Sequence, residues 1–472
     1  FGLVVLLGAC ATQPNSSSTP LQPEIATGFT RKADVVTQKF AVAAANPLAT
    51  QAGFDVLKAG GSAVDAAIAV QMVLGLVEPQ SSGIGGGAFL LHSTAGEGTP
   101  KVQAFDGRET APAATTEDML LNADGKPLAF HAAVVGGRSV GTPGVLRMLA
   151  QAHAQHGKLP WAKLFESAIA LATQGFAISP RLHAQLKADA YLRLDPTARD
   201  YFYQANGEPH ALGHVLRNPE LAEVLQRVAP EGVQAFYNRE VAEALVRKVQ
   251  QHPSNPGRLA LNDLTNYQAK ERTPVCFDHA AASRVYRVCG FPPPSSGAIA
   301  IGQILGMLQH TPASLMSAPT EAVAGTPDPR WLHLYTEASR PAFADRAQYV
   351  ADPDFAPAPS GEWQSLLAPA YLRERAKLIR PTAMPQALPG VPVHAQRSSF
   401  APMADQPEYG TSHISIVDGQ GNALAMTTTI EDAFGARQMV NGFLLNNELT
   451  DFSFAPRDAQ GRLVANRVQP NK

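Results

Sequence analysis

The run Ala66 to Leu76, AAIAVQMVLGL, constrains the fold most. Ser62 and Asp65 stand at capping-box spacing just before it, so it reads as a helix. It is apolar nearly all round, and a helix without a polar face has to be buried on every side. Other layers must therefore wrap it. The chain has 472 residues, 45% of them hydrophobic, enough for one large core or two fused modules. With 38 Gly and 38 Pro, the connections between layers must include many tight turns.

Around this run, short strands and helices alternate without a fixed repeat. A helix is expected over Pro47–Ala59, capped by Asn46 and stopped by Gly60-Gly61. Residues Gly83 to Ala88 match the dinucleotide pattern G-x-G-x-x-A. That pattern needs a strand before it and a helix after it, whereas here a helix precedes and an apolar strand, Ala88 to His92, follows. A loop where two backbones approach closely fits better. A third helix is expected from Thr142-Pro143, with helical pieces on to about Val249. Pro292 to Gly297 is a stiff loop entering another apolar helix. Trp331 to Val350 reads as a helix kinked or broken at Pro341. Thr311 to Asp328 and Pro381 to Pro407 read as surface connections. Near the end, His413–Val417 and Ala423–Ile430 are strand-like, joined by the turn Gly419-Gln420-Gly421-Asn422, and a third strand spans Gly442 to Leu445.

Phe1 to Ala9 is apolar and ends in small residues, like the tail of a secretory signal peptide. Leu7-Gly8-Ala9-Cys10 resembles a bacterial lipobox, which would make Cys10 a lipidation site and the protein an exported one anchored to a membrane. Ala11 to Pro23 is rich in Ser, Pro, Thr and Gln and cannot bury a core, so it reads as a tether. Cys276 and Cys289 flank an expected hairpin and are either a disulfide or two buried thiols. The net charge of -2 gives no sign of a nucleic-acid partner. His210 and His214 have i, i+4 spacing but lack the Glu of H-E-x-x-H, so no metal is expected there.

Gly410-Thr411 carries the chemistry. A Thr hydroxyl is a poor nucleophile without a base. If Thr411 were the first residue of a chain, its own α-amine could take the proton, with a reference pKa of about 7.7–8.0. Such a Thr must be exposed by cleavage of a precursor, and the Gly before it leaves the peptide bond accessible. No His-centred triad stands out in the sequence.

Thr411-Ser412-His413-Ile414-Ser415-Ile416, Gly421-Asn422, Thr427-Thr428-Thr429-Ile430-Glu431 and Phe434-Gly435 together resemble the gamma-glutamyltranspeptidase signature. Leu424 departs from it, where the family usually has Val. Further matches keep their order: Gly60 to Ala67, Pro79 to Gly87, Phe105-Asp106-Gly107-Arg108, Pro292 to Gly297, Ala344-Asp345-Arg346, and Leu444 to Ser453. The resemblance runs from about residue 34 to the end.

It implies an α+β fold of the N-terminal nucleophile hydrolase type, a four-layer αββα sandwich with two antiparallel sheets. It divides the chain into a partial signal peptide (1–9), a lipidated tether (10–33), a large subunit (34–410) and the start of a small subunit (411–472). Self-cleavage at Gly410–Thr411 would leave these two subunits as a heterodimer. Thr411 becomes the nucleophile and Thr429 its hydrogen-bond partner. Arg108 takes the substrate α-carboxylate, for which a guanidinium offers a bidentate pair. Glu431, Glu448 and Asp451 take its α-ammonium. The implied substrates are glutathione and other γ-glutamyl amides, with water or an amine as acceptor and no cofactor. The resemblance also implies a fragment, short at both ends. In the family, Gln469–Lys472 leads into a Ser-Ser pair and then a Gly-Gly oxyanion hole. Oxyanion donors carry orders of magnitude of rate, so this fragment is expected to mature and turn over poorly by itself. Ala455 to Pro470 matches a segment that forms a lid in some relatives. Two other readings remain: a cephalosporin or glutaryl acylase on the same scaffold, and a non-catalytic lipid-anchored binding protein.

Overall fold

The computed structural model describes residues 34–472 except 97, 99, 282, 316–327, 394–397 and 407–409. The apolar start, Cys10 and the tether lie outside the described residues.

Strand β1 (Ala41–Ala43) leads into helix α1 (Pro47–Lys58) and helix α2 (Ala63–Val77). Asn46 caps α1 by accepting from the Leu48 amide, and Gly60 leaves it with φ +89°. Ser62 and Asp65 form the expected capping box. Asp65 also accepts from the amides of Lys158 and Leu159, so this cap doubles as a tertiary tie. All of α2 except Gly75 is buried, as its all-round apolar surface requires.

Strands β2 (Gly87–Thr94) and β3 (Lys101–Gly107) follow, then helix α3 (Val145–His156). The third helix thus starts later than Thr142. The amide of Thr142 is bound to Thr110 O, and the amides of Gly144 and Val145 are bound to Gly86 O. Tertiary bonds take the backbone that a longer helix would have used.

Next come β4 (Lys270–Arg272) and a separate hairpin of β5 (Val275–Ala281) and β6 (Arg284–Gly290). Cys276 and Cys289 sit opposite each other in that hairpin and form a disulfide. Helices α4 (Gly297–Leu308), α5 (Pro329–Tyr349) and α6 (Pro369–Ala376) pack into a smaller core through Ile304, Met307, Ala338, Ala342 and Leu372. Helix α5 continues through Pro341 rather than breaking there. Pro341 is buried, and its carbonyl accepts from Arg375 at 3.0 Å. Packing holds a helix that the local sequence disfavours.

Strands β7 (Ser412–Val417) and β8 (Ala423–Thr429) complete a six-stranded antiparallel sheet ordered β1-β7-β8-β2-β3-β4. The other described strands form two-stranded pairs. Along β7 burial alternates: Ser412, Ile414 and Ile416 point into the main core, while His413, Ser415 and Val417 are exposed. One face of the sheet therefore lies on the α1–α2–α3 layer. The other face is free to line a site.

Candidate active site

The sheet register aligns the residues singled out in the sequence. Thr428 pairs with Ser412, so one step further Thr429 lies opposite Thr411. Thr429 in turn pairs with Gly87. Ala88 pairs with Gly107, which puts Gly87 opposite Arg108. The row Thr411, Thr429, Gly87, Arg108 crosses four neighbouring strands, and residues directly opposed in a sheet share a face. At about 4.8 Å per strand, the ends of the row are about 14 Å apart.

The row borders a cavity of about 1000 Å³, lined by Thr411, Thr429, Thr427, Phe89, Arg108, Glu448 and Asp451, among others. Thr411 is exposed to it. Thr429 Oγ accepts from the Glu431 amide at 2.7 Å. A hydroxyl has one proton and two lone pairs, so this bond leaves the Thr429 proton for a partner across the strand.

Arg108 is fixed from behind. Its amide donates to Asp106 Oδ1 at 2.9 Å, and its carbonyl accepts from the Tyr267 hydroxyl at 2.7 Å. Asp106 is itself held by Arg272 at 2.6 Å. The guanidinium lies 2.8 Å from Glu448, bonds Asp451, and sits 5.7 Å over the Phe89 ring. The Glu448 contact lacks hydrogen-bond alignment, and neither Glu448 oxygen has a hydrogen-bond partner among the described residues. Burial opposes the Arg108 charge, yet Glu448, Asp451 and Glu109 hold its pKa above the ordinary value.

The acids differ in state. Burial pushes Glu448 up to about 8, against the pull of Arg108 and with help from Asp451. Burial also raises Glu431 well above the usual range, and Asp451 and Glu448 add to it. Glu431 does not line the cavity. It lies behind it, bonded to Asn447. Of the three acids expected to meet an ammonium, the cavity therefore receives Glu448 and Asp451.

Their position is set by an Asn pair. Asn446 donates to Gly85 O at 2.8 Å and Gly141 O at 2.9 Å, and accepts from the Gly141 and Glu448 amides. Asn447 accepts from the Asp432 amide and donates to Thr450 Oγ. The Gly83–Ala88 loop is thus a close approach of backbones: a Cβ on Gly86 would collide with Thr429 O.

Sequence reasoning missed Glu109. It is 3% exposed, and its carboxyl fills the space that a side chain on Gly87 would need. Neither oxygen has a hydrogen-bond partner among the described residues. Burial raises its pKa well above the usual carboxyl range, and Glu448 adds to the rise against the pull of Arg108. Its place beside Arg108 was the available signal.

The far wall also differs from expectation. Residues 385–389 and 402–406, read as surface connection, line the cavity together with Arg340, Phe343 and Arg346 of α5. Asp345 anchors this wall. It accepts from Arg375 at 3.0 Å, Tyr371 at 2.7 Å, Gln303 at 2.9 Å and the Gly390 amide at 2.8 Å. His210 and His214 stack on each other with ring centroids 4.2 Å apart and take no part in the site.

The fold is that of the N-terminal nucleophile hydrolases, with an α+β core and an antiparallel central sheet. It superposes on a Helicobacter pylori gamma-glutamyltranspeptidase with TM-score 0.68 and 28% identity, covering 78% of this chain and all of that one. It also matches a cephalosporin acylase from Bacillus halodurans with TM-score 0.73 and 27% identity, over 96% of this chain and 76% of that one. The glutathione hydrolase proenzyme of Bacillus subtilis is 36% identical over 443 residues, 91% of this chain and 70% of the relative. The gamma-glutamyltranspeptidase family profile matches residues 49–472. The chain belongs to the gamma-glutamyltranspeptidase family.

Proposed function

We propose that the protein is a γ-glutamyl hydrolase and transpeptidase acting on glutathione and other γ-glutamyl amides. The observation that carries this reading is the row from Thr411 to Arg108. It sets a nucleophile at one end and a carboxylate binder with two acids at the other. A γ-glutamyl group bound along it has its α-carboxylate on Arg108, its α-ammonium near Glu448 and Asp451, and its γ-carbonyl toward Thr411.

The chain matures by cutting Gly410–Thr411. The Thr411 hydroxyl adds to the Gly410 carbonyl, the C–N bond breaks, and the proton ends on nitrogen. Water then hydrolyses the ester and leaves Gly410 as a carboxylate and Thr411 with a free amine. Residues 34–410 and 411–472 then belong to separate subunits of one heterodimer. In turnover the amine takes the Thr411 proton, a γ-glutamyl ester forms, and water or an amine resolves it. Thr429 donates to the nucleophile oxygen. Export of the protein and lipid attachment at Cys10 belong to the same reading. The Cys276–Cys289 disulfide supports an oxidising compartment.

An acylase for glutaryl side chains would use Arg108 but has no need of the two acids in the cavity. Rates on γ-glutamyl and glutaryl anilides, measured in competition, separate the two. Preference for the γ-glutamyl anilide is expected, and it disappears when Asp451 becomes Asn. Preference for the glutaryl anilide would reassign the enzyme.

A further inference from the structure

We propose that Gln406 is a positioning residue for cleavage of the Gly410–Thr411 bond, an inference that rests on the reading of Thr411 above. Its side-chain amide is fully engaged on one backbone segment. Nε2 donates to Thr450 O at 2.9 Å and to Phe452 O at 3.2 Å, and Oε1 accepts from the Phe454 amide at 3.2 Å. These are alternate residues of the segment that carries Asp451, so Gln406 grips that segment much as a neighbouring strand would.

The grip lies just upstream of the bond to be cut. Downstream, the chain is locked from Ser412 onward by its pairing with Thr428. Only residues 407 to 411 separate the two anchors. A chain extends at most about 3.6 Å per residue, so the Gly410 backbone stays within about 14 Å of Gln406. Further upstream, the Met403 amide bonds Ala347 O and the Ala401 amide bonds Leu463 O, both at 2.8 Å. These are main-chain bonds, which a change of side chain at 406 leaves in place. Gln406 supplies the last side-chain anchor before the bond among the described residues.

Cleavage needs the Thr411 hydroxyl held against the Gly410 carbonyl carbon, and the rate depends steeply on that placement. Gln406 takes no part in bond making or breaking. It narrows the positions open to the Gly410 carbonyl. Once the bond is cut, Gln406 and Thr411 lie on different chains, and this constraint no longer acts on Thr411.

The test compares wild type, Q406A, Q406E and T411A in the full-length protein. Each is followed by intact mass during maturation, then assayed for hydrolysis per mole of cleaved enzyme. Q406E keeps the acceptor for Phe454 but loses both donated bonds. Slowing of cleavage by about tenfold or more is expected in Q406A and Q406E, with a melting temperature lowered by only a few degrees. Turnover by their cleaved fraction should fall less than cleavage does, because Gln406 lines the cavity and holds the segment that carries Asp451. Cleavage of Q406A and Q406E at the wild-type rate would overturn the role of Gln406 and leave Thr411 untouched. Cleavage of T411A at the same bond would instead sink the reading of Thr411. Equal losses in cleavage, turnover and melting temperature would mean a merely structural Gln406 and would also overturn the proposal.

Discussion

The two walls of the cavity are held by different means. The near wall is a sheet, where backbone register alone puts Thr411, Thr429, Gly87 and Arg108 in line. The far wall is helix and irregular chain, held by side chains that converge on Asp345. A register cannot drift: a slip of one residue would turn every side chain to the other face. The near wall is therefore suited to the bond-making groups. The far wall hangs on a few polar contacts, so substitution reaches it more easily, and it is where differences in leaving group and acceptor are expected to be read.

The comparison can be broken in graded steps. Thr411→Ala should abolish both maturation and turnover, a loss on the order of 10⁴-fold or more. No rearrangement of the walls could restore it. Asp345→Ala should cost about 3–5 kcal/mol by leaving Arg375 buried without its partner. Chemical denaturation would measure this, with acceptor KM expected to change more than donor KM. Arg108→Gln should raise donor KM about 10- to 150-fold, the equivalent of one charged hydrogen bond of about 1.5–3 kcal/mol. The same variant should lose discrimination for a free α-carboxylate. Gly87→Ala should cost about 1–3 kcal/mol by driving a methyl group into the Glu109 carboxyl. An unchanged melting temperature in that variant would show that the row is looser than described.

The smallest expected effect is on pH. Glu448 has its folded pKa raised to about 8, so in the free enzyme it is mostly neutral at pH 6 and ionised at pH 9. In the proposed function an ionised Glu448 would attract the substrate ammonium, so donor KM should fall a few-fold as pH rises from 6 toward 8. Glu448→Gln should flatten this part of the profile. The same raised pKa carries a stability cost. The folded state holds a proton that the unfolded state releases above about 4.5, so the Glu448 contribution to stability falls as pH rises toward 8.

The near wall was legible in the sequence because its signals are local. Asn46 and Ser62 announce their helices, the β7–β8 turn fixes the register, and Thr411 to Glu431 lie close together along the chain. The motif also located Arg108 and Asp451. It grouped Glu431 with the ammonium-facing acids, although Glu431 lies behind the cavity on Asn447. The far wall was not legible. Residues 385–389 have no periodicity, and their place depends on Asp345, some forty residues earlier in the chain. Helix α5 passes Pro341 where Ala338 and Ala342 pack on α4 and α6, elements remote in sequence. The start of α3 shifted for the same kind of reason, a bond to distant Gly86. In each case the deciding partner is remote in sequence.

The most direct test of the account is the intact mass of the purified full-length protein beside its Thr411→Ala variant. The account predicts two pieces from the wild type, the second beginning at Thr411, and a single uncut chain from the variant. A single uncut chain from both would contradict it and leave a binding protein on the same fold.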